Sequence, residues 1–255
     1  MKRYSILMYN FNGYELLREP EEVDPECDYI YVTDTPDICK ESKIWRVVVD
    51  PKLEGMSTFE KCYTVRFNPF RYANTYVCIY LDASIQIHRS LRKLFNDFES
   101  SCTDIGLNIH PDAETLPEEY RRWVRHRGYD PNNANRILTV LHLLEYDMQY
   151  KGLYQGGCRI CRNTPLNNKI DNLTFSLLSF LGKEGIIERV DQTIYSFVVN
   201  KFFENIKVFP FSQQVFQSDY MTLMIHGTND PMPYNPSIEK TTGFLFNKET
   251  ELYKI

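Results

Sequence analysis

The sequence lacks the features of several large classes of protein. No stretch of its 255 residues is apolar for long enough to span a membrane, which leaves only peripheral association with a membrane open. The beginning does not resemble a signal peptide, because the apolar run that starts at Ser5 soon meets Asn10 and Gly13. Lysine and arginine never occur more than two in a row, and the formal net charge is -5. We therefore expect no nucleic-acid partner.

The cysteines do not form the pattern of a disulfide framework. They are seven in number, scattered along the chain, and they fit a protein of the reducing cytoplasm. Cys158 and Cys161 form a lone CxxC motif, but on a strand this spacing points the two thiols to opposite faces. We interpret both as packing residues, with metal binding or redox chemistry as the lesser alternative.

The composition is that of a globular protein with a large core. Hydrophobic residues make up 43% of the chain, and the length suits one α/β domain over residues 1–255. The last stretch, residues 231–255, is rich in Pro, Asn, Lys and Glu. We expect this C-terminal tail to wrap the surface of the domain.

The segment VCIYLDASIQI, residues 77–87, is the feature around which the rest of the chain is interpreted. Tyr76 to Leu81 is an apolar run without polar alternation, which predicts a strand covered on both faces at the centre of a mainly parallel sheet. The run ends abruptly at Asp82. Because ligands of open parallel sheets bind beyond the carboxyl ends of the strands, we expect Asp82 at the functional edge.

Three earlier strands are predicted to end at the same edge. They cover residues 5–9, 29–33 and 45–49, and each is followed by a polar residue in a turn, such as Asn10 or Asp34. This arrangement is typical of a sheet with a ligand site at its carboxyl ends. Asp and Asn also favour turns for purely local reasons.

Helices and further strands complete the pattern. A helix over residues 57–67 begins with a capping box, in which Ser57 or Thr58 is the N-cap and Glu60 lies near N3. The pair Gly156-Gly157 indicates either a tight turn or the close approach of a ligand. The other predicted elements are helices at 90–98, 117–126, 132–150, 173–181 and from 191 onward, and strands at 104–109, 158–162 and 221–225.

Two cations and one acid are candidates for chemistry, each with a plainer alternative. Lys61 and Arg66 precede the central strand and could reach a diphosphate, but most such cations are solvated helix residues. Asp191 opens a helix whose apolar stripe runs through Phe197, so its carboxylate should face inward, toward a transferred group. An N-cap role would equally explain an aspartate at a helix start.

Two histidines end predicted strands. His110 follows the strand at 104–109 and His226 follows the strand at 221–225. A ligand-binding and a structural role are about equally consistent with the position of His110. For His226 the residues alone favour an ordinary loop histidine over a metal ligand.

Several segments together resemble one known family, the glycosyltransferase-like domain of the TOD and MUCI type, found in plant cell-wall proteins and bacterial capsular polysaccharide loci. They occur in order over most of the chain. The segments are NFNGYELLREP at 10–20, DYIYVTDTP at 28–36, KCYTVRFNPFRY at 61–72, IYLDASI at 79–85, GLYQGGCRICRN at 152–163 and VDQTIYSFVV at 190–199.

This resemblance implies a GT-A-like fold, an α/β/α sandwich around a central, mainly parallel, mixed sheet. It implies that Asp82, Ala83 and Ser84 stand where GT-A enzymes carry the DxD motif, whose carboxylates hold Mn or Mg against a diphosphate. Here the second acid is replaced by Ser84, which makes the site weaker. His226 resembles the late histidine that completes the metal site in the glycogenin-like branch, although the lysine that follows it there is missing. Asp82, Ser84 and His226 are thus the implied metal ligands.

The resemblance also implies roles for the remaining candidates. Asp191, with Gln192, would act at the reacting centre, either as general base for an inverting transfer or as a stabiliser of the transition state for a retaining one. Gly156 and Gly157 would contact the donor or acceptor sugar, and His110, from its position at a strand end, is a further candidate for that contact. The residues implied for the nucleotide-sugar are Asn10, Thr33, Asp34, Lys61, Arg66, Asp82, Ala83 and Ser84.

We therefore expect a cytoplasmic glycosyltransferase that uses a nucleotide-diphosphate sugar donor and a saccharide acceptor, in surface or capsular polysaccharide synthesis. The weakened metal motif keeps a second hypothesis open, that of a catalytically inactive GT-A-like binding or scaffold protein. A nucleotidyltransferase is disfavoured, because no glycine-rich loop bearing a lysine follows the first strand.

Overall fold

The computed structural model describes residues 2–110, 113–186, 190–203, 206–211, 215–232 and 253–254. The strands are β1 Tyr4–Asn10, β2 Cys27–Thr33, β3 Arg46–Val48, β4 Val77–Leu81, β5 Ile85–Ile87, β6 Ile105–Ile109, β7 Tyr154–Arg162, β8 Lys207–Phe211, β9 Met221–Leu223 and β10 Tyr253–Lys254. The helices are α1 Thr58–Arg66, α2 Arg92–Ser100, α3 Leu116–Arg127, α4 Pro131–Leu143, α5 Pro165–Lys183 and α6 Asp191–Phe202.

The main sheet is mixed and has the strand order β10-β8-β6-β7-β4-β1-β2-β3. Strands β3, β2, β1 and β4 are parallel neighbours, and so are β6 and β8. The antiparallel strand β7 lies between β4 and β6, and β10 pairs antiparallel with β8. A separate ribbon pairs β5 with β9. The predicted fold class, α/β with a central mixed sheet, is confirmed.

Hydrophobic cores cover both faces of the sheet. On one face α2 packs Phe95 and Phe98 against Ile79 and Leu81 of β4. On the other face lie two clusters, one with Val65 of α1 and the other built mainly from α3 to α6. Strand β4 is buried at all five positions, as predicted for a strand covered on both faces.

The two cysteines of the CxxC motif divide between these faces. Cys158 belongs to the cluster around α2, and Cys161 belongs to the cluster around α5 and α6. Both are fully buried free thiols. The prediction that this spacing on a strand points the thiols to opposite faces is confirmed.

The connections create a crevice between β1 and β4. From β1 the chain moves outward to β2 and β3, and it then returns to place β4 on the other side of β1. Such a reversal separates the loops that follow the two strands, and open α/β sheets bind ligands at this point. Asn10 ends β1 and Asp82 follows β4, so both residues lie at the crevice.

Most predicted elements occur within a few residues of their predicted bounds, but three expectations were wrong. The helix predicted at 132–150 ends at Leu143, and Glu145 then adopts a left-handed φ of 58°. The helix predicted at 173–181 begins already at Pro165, capped by Thr164. Gly156 and Gly157 lie inside β7, not in a turn before it.

Two further expectations concern the surface of the protein. None of the helices in the described ranges combines the length and hydrophobicity of a membrane span. The expected surface tail, residues 231–255, lies mostly outside the described residues, which there include only 231–232 and the short strand β10. Its course and the single-domain organisation stay predictions.

The N-terminus of α1 generates a first testable prediction. The Ser57 hydroxyl accepts a hydrogen bond from the Glu60 N–H, and the Glu60 carboxylate accepts one from the Ser57 N–H at 2.8 Å. Replacing Ser57 with Ala should lower the free energy of unfolding by about 1 kcal/mol. Urea unfolding followed by circular dichroism measures this loss.

The matched control is Ser179→Ala on the exposed face of α5. Because that position is not a cap, the change should stay within about 0.5 kcal/mol. Equal losses in both variants would contradict a specific role of the capping box.

Candidate functional site

An aromatic wall at the crevice supports a buried arginine. Tyr9 of β1 and Tyr80 of β4 stack with ring centroids 5.5 Å apart. Arg66, the last residue of α1, lies over both rings, 4.9 Å from the Tyr80 centroid and 5.9 Å from that of Tyr9. Cation–π attraction of this kind favours a charged guanidinium at the carboxyl ends of the two strands.

The guanidinium of Arg66 bridges two carboxylates. Its Nη2 atom donates to Asp82 Oδ1 at 2.7 Å and to the Tyr80 hydroxyl at 2.8 Å, while Nη1 contacts the Asp191 carboxylate. The Tyr80 hydroxyl also donates to Asp82. The Nε–H group is buried and has no hydrogen-bond partner in the described residues. The candidate site is therefore built from the end of α1, the end of β4 and the start of α6.

The cluster is partly buried, with Arg66 the least exposed of its three side chains. The side chain of Arg66 is 11% exposed, that of Asp191 18% and that of Asp82 35%. Burial acts to lower the pKa of Arg66, but the neighbouring Tyr80, Tyr9 and Asp82 raise it, and the net shift is well upward. Burial raises the pKa of Tyr80 well above its usual value. Arg66 is therefore cationic and Tyr80 neutral at physiological pH.

Asp191 faces inward, as its place on the helix predicts, but it is not a cap. The N-cap of α6 is Val190, which makes no side-chain capping bond, and Asp191 is the first helical residue. The alternative of an N-cap role for Asp191 was wrong. Its carboxylate contacts Arg66 instead.

Gln192 connects the central cluster to a second group of polar residues. Its Oε1 accepts a hydrogen bond from the Gly156 N–H at 2.9 Å, and its Nε2 donates to Glu119 Oε1 at 3.4 Å. Glu119 Oε1 lies 3.3 Å from His110 Nε2, and His110 Nδ1 accepts from the Ala113 N–H at 3.0 Å. Both ring nitrogens of His110 are thus engaged, and Glu119 links His110 to Gln192.

The glycine pair of β7 lets the charged groups lie against the strand. A Cβ at Gly157 would lie 3.2 Å from Asp82 Oδ2, and a Cβ at Gly156 would lie 3.2 Å from Arg66 Nη1. The Asp82 N–H donates to the Gly157 carbonyl at 2.9 Å. The glycines therefore serve a close approach of side chains rather than the tight turn that was the alternative.

The first two strands carry the residues expected at the nucleoside. Lys61 Nζ lies 2.8 Å from Asp34 Oδ2, and the Asn12 N–H donates to Asp34 Oδ1 at 2.8 Å. Burial acts to raise the pKa of Asp34, but these two bonds outweigh it and lower the pKa below its usual value. Asn10 and Thr33 are almost fully buried, and both hydrogen bonds of the Asn10 amide go to the backbone of residue 15.

The buried ion pair between Arg18 and Glu15 contacts the backbone of the segment 82–84. Arg18 donates to the Ala83 carbonyl at 2.9 Å, to the Thr228 carbonyl at 2.6 Å and to Glu15 Oε2 at 3.2 Å. Glu15 also contacts His226 Nδ1 and accepts from the N–H of the following glycine. The structure therefore places His226 against Glu15.

These contacts test the predicted metal ligands. Asp82 Oδ1 is engaged by Arg66 and by the Tyr80 hydroxyl, and Ser84 is 2% exposed. His226 contacts Glu15 through Nδ1, a contact that metal-bound histidines also make. Across the described ranges, no group of three or more His, Cys, Asp or Glu side chains is arranged to hold a metal ion. In this arrangement the donor set does not fit a divalent ion.

Sequence reasoning missed three charged residues of the site. Glu119 stands on the buried stripe of α3 with Leu116, Tyr120 and Trp123, and an acid on an apolar stripe is the signal that could have revealed it. Glu15 and Arg18 lie in an irregular segment, where no periodicity marks a buried charge.

Comparisons with known proteins place the chain in no family. No family model matches the sequence, and no curated protein matches it. Among solved structures, the chain is similar to the crystal structure of mouse xyloside xylosyltransferase 1 in its apo form, with a TM-score of 0.44 and 11% sequence identity over 78% of this chain and 82% of that chain. The resemblance to the TOD and MUCI type stays a prediction.

The Glu15 cluster generates a prediction for acid stability. Burial acts to raise the pKa of Glu15, but its contacts with His226, Gly227 and Arg18 lower it below the ordinary 4.5. The folded protein therefore takes up this proton at lower pH than the unfolded chain. The contribution of Glu15 to stability is complete above pH 4.5 and is lost as pH falls through the lower native pKa.

The wild type should consequently lose unfolding free energy more steeply than Glu15→Gln when pH is lowered roughly from 5 to 3. Urea unfolding at several pH values gives both slopes. The exposed Glu54→Gln serves as control and should follow the wild type. A slope in Glu15→Gln equal to that of the wild type would contradict the assignment.

Proposed function

We propose that this protein is a glycosyltransferase that moves a sugar from a nucleotide-diphosphate donor to a saccharide acceptor. The observation that supports this most is the meeting of Arg66, Asp82 and Asp191 at the crevice between β1 and β4. A crevice at this point of an α/β sheet suits a nucleotide. The same cluster offers a cation for phosphate and carboxylates for proton transfer.

The donor would lie across the ends of β1, β2 and β4. Asn10, Thr33 and Asp34 would hold the nucleoside. Lys61 and Arg66 project from one helix and would face the diphosphate.

Asp191 is the proposed acid at the reacting centre. An inverting transfer requires a base that removes the proton of the acceptor hydroxyl, and a carboxylate at the edge of the donor site can do so. Gln192 holds the Gly156 N–H and would orient the sugar together with Gly157 and His110. In a retaining transfer the same carboxylate would stabilise positive charge on the sugar ring.

A divalent ion, Mn or Mg, is implied by the resemblance and would neutralise charge on the diphosphate leaving group. Asp82 is paired with Arg66, Ser84 is buried, and the described residues include no group of three or more His, Cys, Asp or Glu side chains that could hold an ion. No step of the proposed reaction is therefore assigned to a metal.

The biological setting rests on the sequence resemblance. It suggests a cytoplasmic enzyme of surface or capsular polysaccharide synthesis, related to the TOD and MUCI type. A second candidate is an inactive binding or scaffold protein. The observation in its favour is that both carboxylates of the central cluster are already paired with Arg66.

Donor binding gives a direct test. Nucleotide-diphosphate sugars at about 100 times their Kd should stabilise the fold by about 2.7 kcal/mol, because a ligand that binds only the folded state shifts unfolding by mass action. Differential scanning fluorimetry with a panel of uridine, guanosine, cytidine, adenosine and thymidine diphosphate sugars, with and without Mn or Mg, measures the shift in Tm. Unlinked sugars are the control. No shift with any donor would count against the proposal.

Variants of the two acids separate the enzyme from the scaffold. Donor hydrolysis and transfer should fall about 100-fold to 10,000-fold in Asp191→Ala, as expected when a general base is removed, and should also fall in Asp82→Asn. The matched control, Asp37→Asn on the exposed surface, should keep full activity. A folded wild type without hydrolysis or transfer on any donor would favour the scaffold.

A further inference from the structure

We propose that Arg66 is the resident cation of the donor site. Its guanidinium occupies the place between Asp82 and Asp191 in which a divalent ion would otherwise be held. The protein without donor therefore binds no divalent ion at this place, and removal of the guanidinium opens a cation site. The inference concerns the site of the proposed function. Its role in donor binding rests on that proposal, but the competition between the two cations does not.

The first argument is geometric. The guanidinium presents two nitrogen atoms to two different carboxylates, Nη2 to Asp82 and Nη1 to Asp191. These acids come from the end of β4 and the start of α6, which are far apart in sequence. The bridging cation is therefore what brings the two carboxylates into one cluster.

The second argument is electrostatic. Two carboxylates that share a partly buried site disfavour each other's ionised form, and a neighbouring cation favours the ionised form of both. The cluster carries one positive and two negative charges, so Arg66 compensates half of the negative charge. A divalent ion would compensate all of it, but it needs the same carboxylate oxygens. The two cations thus compete for one position.

The third argument is that Arg66 is held in place from several sides. Tyr80 contributes both its ring, 4.9 Å from the guanidinium carbon, and its hydroxyl. The Arg66 carbonyl accepts a hydrogen bond from Arg159 at 2.6 Å, and Arg159 is itself paired with the buried Asp171. The missing side chain of Gly156 leaves room for Nη1. A divalent ion must displace a cation that is already positioned.

Manganese binding to the protein without nucleotide tests the proposal. Electron paramagnetic resonance of free Mn²⁺ would be followed during titration of the wild type, Arg66→Met and Arg66→Gln. Arg66→Met keeps an apolar side chain against Tyr80 and Tyr9. We expect no stoichiometric binding to the wild type, and one ion bound at least about tenfold more tightly by the two variants, because the pair of carboxylates has lost its cation.

Further variants locate the ion. Adding Asp82→Asn to Arg66→Met should abolish the gained binding, and Arg66→Lys, which keeps the charge, should behave as the wild type. The control is Arg3→Met, which removes the surface arginine that is paired with Glu99. This variant should not gain binding of Mn²⁺. Circular dichroism shows which variants are folded.

Two outcomes would overturn the inference. One is stoichiometric binding of Mn²⁺ to the wild type that is lost in Asp82→Asn. This result would refute the inference whether or not the Arg66 variants fold. The other is a folded Arg66→Met or Arg66→Gln without gained binding. Neither measurement uses a nucleotide or sugar transfer, so failure here leaves the proposed function standing. Failure of the donor-binding test likewise leaves this result intact.

Discussion

The site depends on the ion-pair cluster in which Arg66 joins Asp82 to Asp191. Arg66 is 11% exposed, and a charge that is removed from water is costly to leave without a partner, so the cluster fixes the relative position of three elements. These are the end of α1, the end of β4 and the start of α6. The hydrophobic cores on both faces of the sheet position the elements coarsely, and the cluster positions their side chains.

Two further buried ion pairs extend this arrangement. Arg159, paired with Asp171, donates to the Arg66 carbonyl and connects the cluster to α5. Arg18, paired with Glu15, donates to the Ala83 carbonyl on the other side of Asp82. Buried arginines therefore hold the backbone next to both members of the Arg66–Asp82 pair. Such partners fix a geometry more than they add stability, because desolvation offsets much of the attraction between the charges.

The fold could be predicted from the sequence where periodicity is strong. The apolar run ending at Leu81 and the capping box at Ser57 have local causes, and both were located correctly. The crevice beside Asp82 also followed from a general rule of open sheets. The end of the helix at Leu143 could not be predicted, because the apolar pattern continues through Leu144. The pairings of Glu15 and Glu119 are long-range contacts, and no local pattern encodes them.

The resemblance implies a second acid at position 84, where this chain has a serine. Residue 84 is buried, and its carbonyl accepts a hydrogen bond from the Met224 N–H. The carboxylate that does share a cation with Asp82 is Asp191, from a helix more than a hundred residues later. The chain thus has two acids around one cation, although position 84 is not an acid. Since Asp191 is also the proposed reacting group, the charge that Arg66 supplies would, under the proposed function, act on donor binding and on catalysis at once.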